Sequence, residues 1–138
     1  MRYAILSDIH SNLEALEAVL AAFQAERIDA YLCAGDIVGY GANPNECIQR
    51  INTVSPVIVA GNHDWAAVGL FPADDFNPEA QEAVAWTRDH LTVAGAALLK
   101  ALPLVYEVED LVMVHGSLDG PEAFKYLLGI NSCERTFE

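Results

Sequence analysis

Short apolar blocks, each closed by glycine or a polar residue, recur along the first half of the chain. Residues 2–7 (RYAILS) read as a buried strand, Ala30–Ala34 as a second and Val57–Ala60 as a third. Between them the apolar spacing lengthens to that of a helix. Leu13, Leu16, Leu20 and Phe23 fall on one face, and a second helix is expected from about Pro44 to Ile51. Ser11, with Glu14 three residues on, has the form of a capping box and places the first helix start there. The resulting β-α-β-α-β order predicts a parallel sheet with right-handed crossovers.

The second half changes rhythm. Residues 65–77 carry no period and read as a loop. Asn77-Pro78 then has the form of an N-cap and a first helical position. A helix is expected from about Pro78 to His90 and another from Val93 to Leu102, where Pro103 stops it. Leu104–Val108 and Leu111–Val114 alternate as a hairpin around Glu109-Asp110, with Glu107, Glu109 and Asp110 in solvent. A weak helix is expected near Glu122–Leu128. Trp86 reads as core, Trp65 as a pocket wall or as packing, and His90 as a partner of its helix's carboxyl end.

Composition narrows the class. A chain of 138 residues with 53% hydrophobic positions is expected to form one domain, residues 1–138, with a real core. No apolar run is long enough to span a membrane, and the start lacks the form of a signal peptide, so a cytoplasmic protein without a membrane partner is expected. Seven basic residues against 20 acidic ones, a formal charge of −13, argue against nucleic acid as a partner. The same excess suits a protein that holds divalent cations, although solubility alone explains most of it. Cys33, Cys47 and Cys133 lack metal-type spacing and read as reduced thiols, Cys33 inside a strand.

The candidate chemistry sits at strand ends. Asp8 and His10 follow the first strand, Asp36 the second and Asn62 with His63 the third, and His115 closes the hairpin. Carboxyl ends of parallel strands share one crevice, so these residues can converge. Carboxylates, imidazoles and an amide oxygen without thiolate suit a pair of borderline-hard divalent metals. Asp8 and His10 flank Ile9, so in extended backbone both point to one side. Taken singly each residue has a plain alternative: a helix cap for Asp8, a turn for Asp36 or Asn62, an interior histidine for His115. Taken together, their placement on strand ends points to a site.

The ordered set Asp8-x-His10, Gly35-Asp36, Gly61-Asn62-His63-Asp64 and His115-Gly116 resembles the calcineurin-like metallophosphoesterase superfamily, and its small bacterial and archaeal phosphodiesterase-like members most. The resemblance implies an α/β fold, a β-sandwich flanked by helices, around two divalent metal ions. Manganese is the expected ion, with iron, zinc, magnesium or nickel also compatible. On that pattern Asp8 and His10 hold one metal, Asp36 bridges, and Asn62 and His115 hold the other. His63 is the catalytic histidine, donating a proton to the leaving oxygen or stabilising its charge, and metal-bridging hydroxide is the nucleophile. Hydrolysis of small phosphodiesters or phosphomonoesters is implied, with Asn12 and Tyr40 facing the substrate.

Two departures shape the expectation. Protein phosphatases of this superfamily carry Val-Asp-Arg-Gly where this chain reads Val38-Gly39-Tyr40-Gly41, so a small phosphorylated substrate is expected instead. The superfamily's closing Gly-His-x-His motif has no counterpart, since no histidine occurs in residues 116–138. The chain therefore reads as a domain lacking its C-terminal strands. Weakened metal binding, low activity and self-association through an exposed edge are expected. The alternative is a non-catalytic interaction module on the same fold, which would have no need of His63. A nucleotide-binding α/β protein is disfavoured, because the Gly-rich segment Gly35–Gly41 carries no lysine.

Overall fold

Residues 1–55 and 57–136 are described by a computed structural model; Phe137 and Glu138, with which the chain closes, lie outside them. Strands β1 (Tyr3–Leu6), β2 (Ala30–Cys33) and β3 (Val57–Ile58) form a parallel sheet in that order. Tyr3 pairs with Ala30 through to Leu6 with Cys33, and Leu32 pairs with Val57. The period of two sends alternate residues of β2 to opposite faces. Cys33 enters a helix-covered core, and Leu32 enters a smaller cluster on the other side.

Helices fill the first face. α1 (Leu13–Phe23) buries Leu16 and Leu20, and α2 (Pro44–Val54) buries Cys47, Ile48 and Ile51. These side chains meet Leu6, Cys33 and Leu99, each full burial of a leucine or isoleucine contributing roughly 1.5–3 kcal/mol. On the second face Met113 of a hairpin, β4 (Tyr106–Val108) with β5 (Leu111–Met113), packs on Leu32 and Val59. The hairpin covers the β2 and β3 side, and Ile5 on β1 stays 58% exposed. Helices on one face and strands on the other give the expected α/β layering.

Between β3 and the hairpin, in chain order, come α3 (Asn62–Ala67), α4 (Pro78–His90) and α5 (Val93–Ala101). The Asn77 side chain accepts the Ala80 N–H (2.8 Å) and Pro78 opens α4, as the sequence predicts. His90 Nδ1 meets the Trp86 carbonyl (2.7 Å), at the carboxyl end of its helix.

The structure corrects four local expectations. Asn12, not Ser11, caps α1: its side-chain oxygen accepts the Ala15 N–H at 3.0 Å, while Ser11 is buried in a left-handed turn (φ 56°) with its N–H given to the Ile37 carbonyl. Residues 62–67 are helical rather than loop from residue 65, for capping reasons given below. The tail forms a single 3₁₀ turn (Pro121–Ala123) and then α6 (Ile130–Thr136), not a helix over 122–128. Left-handed Gly120 (φ 67°) and Phe124 (φ 47°) bracket that turn and stop it from propagating. Trp86 is 40% exposed and stacks on His90 with ring centroids 3.9 Å apart, so it is not core. No helix among the described residues is long and apolar enough to cross a membrane.

Candidate metal centre

Pairing of β1 with β2 does not stop where the strands stop. The Ala34 N–H donates to Leu6 O, Asp8 N–H to Gly35 O, His10 N–H to Asp36 O and Ser11 N–H to Ile37 O, at 2.8–3.1 Å. Two loops thus run side by side beyond the sheet and carry Asp8, His10 and Asp36 with them. Asp8 (φ 54°), His10 (φ 49°) and Asp36 (φ 53°) all take left-handed backbone, so the extended geometry expected for Asp8 and His10 is not what aligns them. Such conformations cost of order 1–3 kcal/mol each and gather where the surrounding structure enforces them, commonly at functional sites.

The third strand delivers Gly61, where any Cβ would run into the Asp36 carboxylate; only glycine lets the two loops close. Asp36 Oδ1 then accepts the His63 N–H (2.9 Å), capping the first turn of α3 from a distance. Asp64, fully buried, accepts three main-chain N–H groups: Ile37 (2.9 Å), Val38 (3.1 Å) and Gly61 (3.0 Å). One carboxylate therefore ties the Gly35–Gly39 loop to the start of α3. Burial and the nearby Asp36 charge push Asp64 up to about 7, against the donors that favour its charge. In the sequence Asp64 is visible only as the close of the Gly61–Asp64 motif, because the N–H groups it binds at Ile37 and Val38 lie 27 and 26 positions away.

Each of the two outer imidazoles is anchored by one nitrogen and presents the other. His10 Nδ1 meets Val38 O (3.1 Å), leaving Nε2 3.7 Å from both Asp8 Oδ1 and Asp36 Oδ2. His115 Nδ1 meets Ala34 O (2.7 Å), leaving Nε2 3.3 Å from Asp36 Oδ2 and 3.0 Å from Asn62 Oδ1. A main-chain carbonyl behind an imidazole that faces a carboxylate is the usual support of a metal-ligating histidine. Two groups have ligand atoms within 4.8 Å of one another, His10–Asp36–His63 and Asp8–Asp36–His115, and both contain Asp36. His63 thus stands beside His10 and Asp36 as well as facing outward. Asn62 sits at the edge of the second group through His115.

Electrostatics agree with the geometry. Burial opposes charge on Asp36, but the hydrogen bond and charge of His115, with His63 and His10 behind it, hold its carboxyl below the usual value. Burial also works against His115⁺, and Asp36 outweighs it, raising the imidazole to about 9. His63 is lowered, chiefly by burial, with Asp36 opposing. Its Nδ1 is buried with no hydrogen-bond partner among the described residues and lies against the Gly39 backbone. A shared carboxylate, imidazoles offering Nε2, an amide oxygen and no thiolate fit two divalent ions.

All six strand-end residues therefore come together. Tyr40 and Asn12 line an open cavity of about 600 Å³ beside Asp8 and His10, although the Asn12 oxygen is committed to its cap. Trp65 packs on the main core and meets Phe124 edge-on, at 5.8 Å. The described residues after His115 contribute none to either group.

Residues 1–136 match the family model described as calcineurin-like phosphoesterase. The chain belongs to that family. It is 41% identical over 128 residues to an uncharacterized protein of Methanocaldococcus jannaschii, covering 90% of this chain and 53% of that one. The crystal structure of a metallophosphoesterase from Sphaerobacter thermophilus superposes with a TM-score of 0.74 at 44% identity, over 88% of this chain and 49% of that one. A hypothetical protein from Pyrococcus horikoshii OT3 shares the fold, with a TM-score of 0.66 at 22% identity over 86% of this chain and 56% of that one. This calcineurin-like phosphoesterase chain spans about half the length of the relatives it matches.

Proposed function

We propose that this chain carries the metal-binding and catalytic residues of a phosphoesterase that hydrolyses small phosphodiesters or phosphomonoesters. The observation that carries this reading is that two ligand groups meet on the single buried carboxylate of Asp36. Asp8 and His10 would hold one divalent ion, Asn62 and His115 the other, and Asp36 would serve both. Bound there, the ions would supply Lewis acidity toward a phosphoryl oxygen and an activated water near neutral pH. Manganese is the ion of choice for a test, because carboxylate, imidazole and amide donors all suit it.

His63 also lies within ligand distance of His10 and Asp36, and this reading assigns it to the substrate rather than to an ion. It stands at the edge of the shared carboxylate and lines the adjoining cavity. Its lowered pKa keeps the imidazole neutral near pH 7, which suits an N–H donor to charge developing on the leaving oxygen. Left-handed backbone at Asp8, His10 and Asp36 holds this arrangement before substrate arrives, so little reorganisation is needed. Tyr40, half exposed beside the His10 and His63 rings (4.9 Å from each), forms the substrate-facing wall.

The test is manganese-dependent hydrolysis of an aryl phosphodiester by the chain and by its His63→Ala variant. Turnover by the parent, reduced at least about 100-fold in the variant, is expected for loss of a group acting on the leaving oxygen. Equal turnover would remove His63 from the mechanism. Absence of turnover at saturating manganese would contradict the reading for this chain.

A further inference from the structure

His63 lines a second cavity of about 380 Å³, which Asp8 and His10 do not reach, within the roughly 300–1,000 Å³ range of small-molecule sites. Tyr40, Phe71, Phe76, Phe124 and Tyr126 line it, with Lys125 at one side. Three of the chain's five phenylalanines are spent on this one wall, drawn from two separate segments. The rings are arranged as a surround. Phe76 lies 4.7 Å from the His63 ring, and Phe71 meets Phe124 edge-on at 5.0 Å. A satellite core would close over itself, yet Tyr40 is 49% and Tyr126 74% exposed. Their faces are available to a flat guest.

Resting on the phosphoesterase reading, we propose that this cavity is a specificity subsite that takes a planar aromatic group of the substrate while its phosphate lies at the metal centre. His63 and Asn62 belong to both places, so the ring and the phosphate would sit on the two sides of one histidine. The shared chemistry is a flat π-system linked to a phosphate, as a nucleobase in a nucleotide or as a simple aryl ester. Stacking needs no hydrogen-bond readout; of the polar groups on the wall, the Asn77 oxygen caps α4 and Lys125 pairs with Asp119 (3.0 Å), while the Asp75 carboxylate stands at the rim. Tyr126, Phe76 and Phe71 are specificity-determining residues in this account.

Binding of phosphonates, whose C–P bond is not hydrolysed, tests it on the manganese-loaded chain by titration calorimetry. The probes are methylphosphonate, phenylphosphonate and the phosphonate analogue of AMP. The subsite predicts that an aromatic probe binds roughly tenfold or more tighter than methylphosphonate, the size of one ring-stacking contact. Preference for the AMP analogue identifies a nucleobase as the guest; equal gains for both aromatic probes identify any flat ring. Tyr126→Ala, at an exposed position that tolerates truncation, and Phe71→Leu, whose ring meets Phe76 and Phe124, should each erase most of that gain while leaving methylphosphonate affinity unchanged. Equal binding of all three probes would overturn the subsite and leave the phosphoesterase reading standing. Manganese binding with no affinity for any phosphonate would overturn both.

Discussion

Asp36 and His115 form the closest contact between opposite charges in the site, and it has a measurable consequence. With the imidazole raised to about 9 by Asp36, against its own burial, His115 is protonated at pH 7 in the metal-free chain. A ligating imidazole must be neutral, so metal uptake at pH 7 should release about one proton, and apparent affinity should rise with pH until about 9. Calorimetry in two buffers of different ionisation enthalpy measures this directly; an identical heat in both would contradict it. Burial likewise holds the Cys33 thiol up at about 12 and Cys47 at about 11. Iodoacetamide at pH 8 should therefore modify only the half-buried Cys133 in the native chain, with Cys33 and Cys47 reacting after denaturation. Rapid native labelling of Cys33, read by mass spectrometry, would contradict the packing. At this scale much was legible: the types and order of Asp8, His10, Asp36, Asn62, His63 and His115 are visible as residues closing apolar runs. Their left-handed backbone was not, because it is imposed by hydrogen bonds between two loops far apart in the chain.

Elements were legible where their determinants are local. Helix α4 begins and ends as predicted because Asn77 and Pro78 open it and Leu91 leaves helical backbone just after His90. Helix α3 was not foreseen, since six residues show no apolar period and its cap arrives from Asp36, 27 positions away. Asp64 makes that junction testable. Asp64→Ala would leave three buried N–H donors unpaired, and at about 1–3 kcal/mol for each such group the loss should be at least about 3 kcal/mol. Urea denaturation reads it, and a change below about 0.5 kcal/mol would show that water replaces the carboxylate without cost. Gly39→Ala tests the opposite side of His63. Gly39 has φ +101°, and a Cβ there would stand 2.5 Å from His63 Nδ1. Destabilisation of about 1–2 kcal/mol is expected from the backbone alone, together with displacement of the His63 ring.

For the whole molecule, the parallel sheet with helices on one face and a hairpin on the other brings four separate strand ends to one crevice. Topology was readable because three apolar strands alternate with two helical periods; the identity of the layer partners was not, since Met113 meets Leu32 and Val59 only through tertiary packing. On the proposed reading the ligands come from the ends of β1, β2, β3 and β5, and bound metal should clamp these elements together. At manganese concentrations 100-fold above Kd, stability should rise by about 2.7 kcal/mol for each ion bound, seen as a Tm increase that EDTA reverses.

Manganese EPR on the chain and its Asp36→Asn variant decides whether one carboxylate serves two ions. Two ions per parent chain with an exchange-coupled signal are expected, with loss of that coupling in the variant. A single uncoupled manganese in the parent, or a coupled pair that survives the substitution, would contradict it.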